Sequence, residues 1–281
     1  MPLNNPIHSY GIAIGFGVVF SLYFLLAPIP AQAELPIPLL EREDEPPELI
    51  SEQLGPEIYR HEKMYVIAGG DSVDFDAKFQ LSLKVRVGGD IFASYSQTSV
   101  WDLGKLSKPF HDSSYRPALF YYKPQQWSST AGPIGLATGV EHESNGKAGI
   151  DSRSMWIVFA KPYISIGPKD DYHWAISPKI YGYLRKEDNN GDIADYRGYA
   201  DLIASYRNDK AWEFGGTARF GRDFGKGSLQ LDVSQKVGNW IKGFPGYFYL
   251  QLFSGYGETL LDYNIRRNDQ IRLGFMIARD R

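Results

Sequence analysis

The sequence predicts an all-β fold, a 12-stranded antiparallel transmembrane β-barrel preceded by an N-terminal signal peptide. Three observations carry this. An apolar leader ends at a small-residue cleavage site, strand-length segments alternate with period two as far as the C-terminus, and aromatic residues gather near segment ends.

Residues 11–27 are almost wholly apolar and are followed by Ala31-Gln32-Ala33, which reads as a signal peptide over residues 1–33 cleaved before Glu34. The leader contains His8 but no Lys or Arg, so an uncleaved anchor is the alternative. Beyond Ala33 no apolar run approaches the roughly 20 residues of a spanning helix. Membrane insertion must therefore use strands. Residues 34–60 are expected to form a poorly ordered periplasmic arm, because Pro36, Pro38, Pro46, Pro47 and Pro56 combine with the acidic run Glu41, Glu43, Asp44 and Glu45. The barrel is assigned to residues 61–281.

The clearest strand covers residues 74–87. Phe75, Ala77, Phe79, Leu81, Leu83, Val85 and Val87 alternate with Asp74, Asp76, Lys78, Gln80, Ser82, Lys84 and Arg86. Successive strand side chains point to opposite faces, so this segment has one apolar and one polar face. Further strands are expected near 63–69, 90–102, 116–123, 133–144, 153–166, 172–186, 194–207, 211–222, 227–237, 246–256 and 269–278. Their even number and length suit a closed barrel, the only sheet that leaves no unpaired edge in hydrocarbon. Trp101, residues 120–122 and residues 247–249 supply interfacial aromatics. A soluble β-sandwich or lipocalin-like barrel also alternates and remains the competing architecture.

The chain has 281 residues, no cysteine and a formal charge of −3, which excludes disulfides and thiolate metal sites and disfavours nucleic-acid partners. Glu141 and Glu143 have the opposite parity to His142 and Ser144 on the 133–144 strand. They are expected to face the lumen and pair with Lys or Arg there. His142 and Ser144 share the outward, apolar parity of Leu136 and Val140, which places a base and a potential nucleophile where lipid lies.

Five stretches carry a family resemblance: residues 78–82 (Lys-Phe-Gln-Leu-Ser), residues 93–97 (Ala-Ser-Tyr-Ser-Gln), Ser107-Lys108-Pro109-Phe110 with Tyr115-Arg116-Pro117, His142-Glu143-Ser144-Asn145-Gly146 through Ser152-Arg153-Ser154, and residues 254–258 through Asp262-Tyr263-Asn264. With these the chain resembles the outer-membrane phospholipase A family; the later strands match it poorly. The resemblance implies a calcium-activated, dimeric phospholipase A1/A2 acting on phospholipids and lysophospholipids of the outer leaflet of the cell outer membrane. Ser144 is then the nucleophile, His142 the general base and acid, and the Gly146 N–H an oxyanion donor. Ser152 by side chain, Lys147 by carbonyl and Ser107 of a neighbouring subunit are the implied calcium ligands, and Gln97 is implied at the dimer interface. Asp151 is a possible further charge beside Ser152, or simply part of a surface turn.

The family's third catalytic member is an Asn, and Trp156 stands in its place here. An indole offers only an N–H donor, so it cannot accept a hydrogen bond from His142 as an Asn carbonyl does. Three readings stay open: a working Ser–His dyad, substitution by Ser154 Oγ, or a catalytically inactive relative acting as a structural or channel-forming barrel. Residues 188–192 (Asp-Asn-Asn-Gly-Asp) are expected to be a solvated external loop rather than a calcium turn, since the distal Glu of an EF-hand is missing. His173 and Trp174 read as interfacial anchors, and His61 has no evident partner.

Overall fold

The computed structural model describes residues 58–123, 134–167, 174–208, 212–241 and 246–278. Their strand segments form one antiparallel sheet closed on itself. Ile58–Arg60 and Met64–Gly70 pair with the same neighbour and make one interrupted strand, β1. Trp174–Ile176 and Lys179–Lys186 lie between the same two neighbours and make another, β7. The other strands are β2 (Phe75–Gly88), β3 (Ile91–Asp102), β4 (Phe110–Lys123), β5 (Ile134–Ser144), β6 (Ser154–Ile166), β8 (Ala200–Arg207), β9 (Trp212–Phe220), β10 (Gly227–Lys236), β11 (Tyr247–Gly255) and β12 (Arg267–Ala278). Each pairs with its sequence neighbours, and β12 closes on β1, giving the expected 12-strand barrel.

The alternation seen in the sequence sorts the two faces. On β2, Asp76, Lys78 and Ser82 are buried inside, while Phe75, Leu81 and Val87 are exposed outside. Val66, Leu119, Val158, Leu231 and Leu273 continue an exposed apolar wall around the barrel. So much exposed hydrocarbon in one band suits lipid rather than water. Aromatic pairs mark both rims: Trp101 stacks on Phe110 at one, while Trp174 packs on Tyr206 and Trp212 stacks on Phe214 at the other. Among the described residues no helix is long and apolar enough to cross a membrane. The protein is a multi-pass outer-membrane barrel.

The lumen is filled by paired charges. Lys179 meets Glu141 at 2.9 Å, Arg197 meets Glu143 at 3.0 Å, and Arg219 meets Asp201 at 2.7 Å. Arg272 is fully buried between Asp76 and Glu258, at 2.5 and 2.6 Å. A cavity of about 40 Å³ lies among Glu141, Glu143, Lys179, Arg197, Asp201 and Arg219.

Four expectations change. β4 begins at Phe110 rather than 116, because a bulge opposite Val100 and Trp101 inserts His111 and breaks the period-two pattern that sequence reading follows. β8 begins at Ala200 rather than 194, because Ala194–Arg197 form a single helical turn, α1, ended by Gly198 at φ 62°. His61 does have a partner: between the two halves of β1 it stacks on Phe120, with ring centroids 5.3 Å apart. Ile58–Arg60, expected in the arm, already pairs with β2. The signal peptide, the rest of the arm and His173 lie outside the described residues.

Candidate active site

His142 and Ser144 occupy the last turns of the pleat on β5, next to the rim opposite the start of β1 and the end of β12. Their neighbours Glu141 and Glu143 point inward and are buried, so the pair lies on the outer wall as the parity requires. Two rows of outward residues cross the sheet here. In one, Gln97 on β3 faces Tyr115 on β4, which faces Ser144, which faces Ser154 on β6. In the other, His142 faces Trp156 on β6, which faces Arg185 on β7. His142, Ser154, Trp156, Arg185 and Glu187 line one open groove.

The loop after Ser144 turns sharply at Gly146, whose φ of +66° is left-handed and whose Cα is covered by the Tyr115 ring. A side chain there would meet both backbone strain and that ring. The Gly146 N–H donates to Ser144 Oγ at 3.2 Å, so the predicted oxyanion donor points at the predicted nucleophile. Asn145 ties the loop together: its amide donates to the Asp151 carbonyl at 2.8 Å, and its oxygen accepts from the N–H groups of Lys147 and Arg153.

Trp156 packs against His142 edge to face, with centroids 4.7 Å apart and planes at 87°. The indole thus fixes the plane of the imidazole by packing, in the place where an amide carbonyl was expected to fix it by hydrogen bonding. Ser154 lines the same groove, one cross-strand pair away from His142.

The residues suggested for metal binding are partly assembled. The Ser152 hydroxyl donates to the Glu187 carboxylate at 2.9 and 3.1 Å, which puts an oxygen-rich corner beside the Lys147 loop. Lys147 Nζ is turned away and donates to the His111 carbonyl at 2.7 Å. Ser107 lies in the exposed loop 103–109 between β3 and β4, where it and Lys108 hold left-handed φ values of 64° and 42°. The Trp101 indole N–H pins that loop through the Lys108 carbonyl. Gln97 is on the outer wall, accepting from Tyr95 and donating to Ser99.

Sequence reading missed the support behind the site. Residues 188–192 are only partly solvated: Asp188, Gly191 and Asp192 are exposed as expected, but Asn190 is fully buried and its amide both donates to the Ser154 carbonyl at 3.1 Å and accepts from the Ser154 N–H at 3.2 Å. Asn189 donates to the carbonyls of Gly149 and Ser152. Nothing in the local sequence signals this docking, because its partners lie some 40 residues away. At the same rim, His111 joins Asp102 at 3.3 Å to Asp262 at 2.6 Å. The hydrogen bond from His111, more than the opposing burial, holds the Asp262 carboxyl below the usual range.

Comparison with known proteins bears on the family and the fold. The sequence profile of the phospholipase A1 family matches residues 57–277. The chain is 30% identical over 216 residues to the phospholipase A1 of Klebsiella pneumoniae, across 72% of this chain and 70% of that one. It superposes with a TM-score of 0.71 at 25% identity on an active-site mutant of Escherichia coli outer membrane phospholipase A in which an asparagine is replaced by alanine, covering 82% of this chain and 95% of that one. It also superposes, with a TM-score of 0.70 at 24% identity, on the calcium-bound dimer of the outer membrane phospholipase of Salmonella typhi, covering 79% and 92%. The profile spans most of the chain and the barrel fold is shared: the chain belongs to the phospholipase A1 family of ester hydrolases.

Proposed function

We propose that the protein hydrolyses acyl esters of phospholipids and lysophospholipids in the outer leaflet, using His142 and Ser144. The observation that carries this reading is their joint position on the lipid-facing wall, beside a glycine N–H aimed at the serine. A serine hydroxyl is a weak nucleophile until a neighbouring base takes its proton, and His142 stands two residues away on the same face. As Ser144 Oγ attacks the ester carbon, the carbonyl oxygen gains negative charge and accepts the Gly146 N–H. That hydrogen bond is made to Ser144 itself in the resting site. His142 then returns the proton to the departing glycerol oxygen, leaving an acyl-serine. Water attacks that ester with His142 again as base, and fatty acid leaves.

Calcium and dimerisation belong to the same reading. The Ser152 hydroxyl, the Lys147 carbonyl and Ser107 from a second subunit are all oxygen donors, as a hard cation prefers. Glu187 beside Ser152 adds negative charge to that corner. Bound there, calcium supplies positive charge next to the developing oxyanion. The left-handed loop that exposes Ser107, and Gln97 in the same outward row as Ser144, are placed to meet a second copy of the chain. Completion of the site by a partner explains why a monomer would be idle, and phospholipid reaches the outer leaflet only when asymmetry fails.

Among the three readings of Trp156, its edge-on packing against His142 favours the dyad. The test is release of fatty acid by the refolded protein in mixed micelles, with calcium, with chelator, and with Ser144→Ala. Calcium-dependent release abolished by the substitution supports the reading. A folded, dimeric, calcium-loaded protein that releases nothing would make this an inactive relative.

A further inference from the structure

We propose that Arg185 binds the phosphate of the lipid substrate and makes the site selective for phosphate-bearing esters. The inference rests on the lipid-ester reading of His142 and Ser144 and extends it to the headgroup.

The first observation is a register shift. On β6 and β7, Ile157 pairs with Tyr183, but Trp156 pairs with Arg185, so Leu184 is an inserted residue. Tyr181 and Tyr183 face the lumen, where their hydroxyls donate to the carbonyls of Arg197 and Gly198. Regular alternation would therefore send Arg185 inward as well. The bulge reverses this and turns Arg185 onto the outer wall, opposite Trp156 and in line with His142. Bulges beside active sites characteristically re-aim one side chain in this way. Alternation resumes immediately, since Lys186 returns inward over the Tyr183 ring.

The second observation is charge. Lys179, Arg197, Arg219 and Arg272 are spent on lumen carboxylates, whereas Arg185 is exposed and, among the described residues, has no ion-pair or hydrogen-bond partner. Glu187, the acid lining the same groove, is engaged by the Ser152 hydroxyl and forms no ion pair with it. An unpaired guanidinium on a lipid-facing wall is costly near the bilayer centre and cheap at the headgroup level. Arg185 sits one residue from the end of its strand, at the rim that carries Trp101 and Phe110.

The third observation is reach. His142 and Arg185 lie two strand spacings apart, roughly 10 Å between backbones, and the arginine side chain covers part of that span. In a glycerophospholipid the phosphorus lies five or six bonds from the scissile carbonyl, so one molecule can place its ester at Ser144 and its phosphate at a planar two-pronged donor on the far side of Trp156.

The test compares two single-chain esters with the same acyl group, a lysophospholipid and a monoacylglycerol, in neutral-detergent micelles with calcium. Arg185→Gln is expected to lower the preference for the lysophospholipid, as the ratio of the two kcat/KM values, by roughly 10- to 100-fold, mainly through KM. Arg185→Lys should lose part of it, since an ammonium keeps charge but not the bidentate fork. An equal fall for both substrates, or no change of ratio, overturns the proposal. A second measurement needs no turnover: equilibrium binding of a non-hydrolysable ether lysophospholipid to Ser144→Ala, with and without Arg185→Gln. Weaker binding in the double variant, not reproduced by millimolar inorganic phosphate as competitor, supports a headgroup site. Unchanged binding sinks it. If the wild type cleaves neither ester while Arg185→Gln still weakens binding, the hydrolytic reading fails and the phosphate site stands.

Discussion

The two faces of β5 use polar residues in opposite ways. Inward, Glu141 and Glu143 are buried and matched by Lys179 and Arg197, with Ser114 also donating to Glu143 at 2.7 Å. Outward, His142 and Ser144 have few polar partners, and the hydrogen bond that Ser144 does make is to a backbone N–H that a substrate can take over. A buried charge without a partner is strongly destabilising, so the lumen must be satisfied completely. A nucleophile that is fully satisfied does not react, so the outer pair must stay partly open. On the proposed function, four consecutive residues of one strand divide stability from chemistry by parity.

Breaking each face should have separable consequences. Ser144→Ala is expected to lower kcat by at least about 10³-fold, with unchanged heat-modifiable migration in detergent. Loss of the folded form would mean that the outer pair also supports the barrel. Arg272→Ala on the lumen side removes the closest cation to both Asp76 and Glu258, leaving Arg267 at 3.5 Å from Asp76 and Lys78 at 3.2 Å from Glu258. Because Lys78 and Arg267 still pair with the two carboxylates, we expect it to destabilise the barrel by less than the about 3–5 kcal/mol of an unpaired buried charge in urea titration, with kcat/KM per folded molecule kept. A stable Arg272→Ala barrel would contradict the view that lumen pairing carries the fold.

How much of this was readable in the sequence follows the same division. Strict alternation over residues 74–87 gave both faces of β2, and parity alone placed His142, Ser144 and Gln97 outward and Glu141 and Glu143 inward. Period two, however, cannot register an inserted residue. The bulges at His111 and Leu184 therefore hid the true start of β4 and the outward turn of Arg185. The docking of Asn189 and Asn190 onto the catalytic loop was also invisible, because a run of Asp, Asn and Gly looks like a solvated turn until distant backbone groups are known to meet it.

Trp156 sharpens the comparison, because it is an outward residue whose contribution is packing. Replacing it by Asn removes the edge-on ring contact and supplies the amide carbonyl that the indole lacks. If orientation of the imidazole is what matters, Trp156→Asn keeps or raises kcat, by up to about tenfold. A clear loss of activity in a folded variant would mean that the indole touches substrate or partner, and the dyad reading would go.

The smallest expected effect lies at the rim, where the two faces meet. His111 bridges Asp102 on β3 and Asp262 in the loop 256–266. The Asp262 carboxyl titrates below its ordinary value of about 3.9 because His111 stabilises the charged form. A carboxyl held low in the folded state gives stability that is complete above the ordinary value and is lost as pH falls through the folded one. The clamp should therefore be intact at neutral pH and release below about pH 4. Because the pair is partly exposed, its release is worth no more than about 1 kcal/mol. Amide hydrogen exchange across residues 256–266 should quicken by up to about fivefold over that acid range, and Asp262→Asn should show the faster rate already at neutral pH. If exchange is equally slow in both proteins, the loop is held by its backbone bond from Leu261 to Asp112 and by Tyr263 on Asp192, and the rim would be as rigid as the lumen below it.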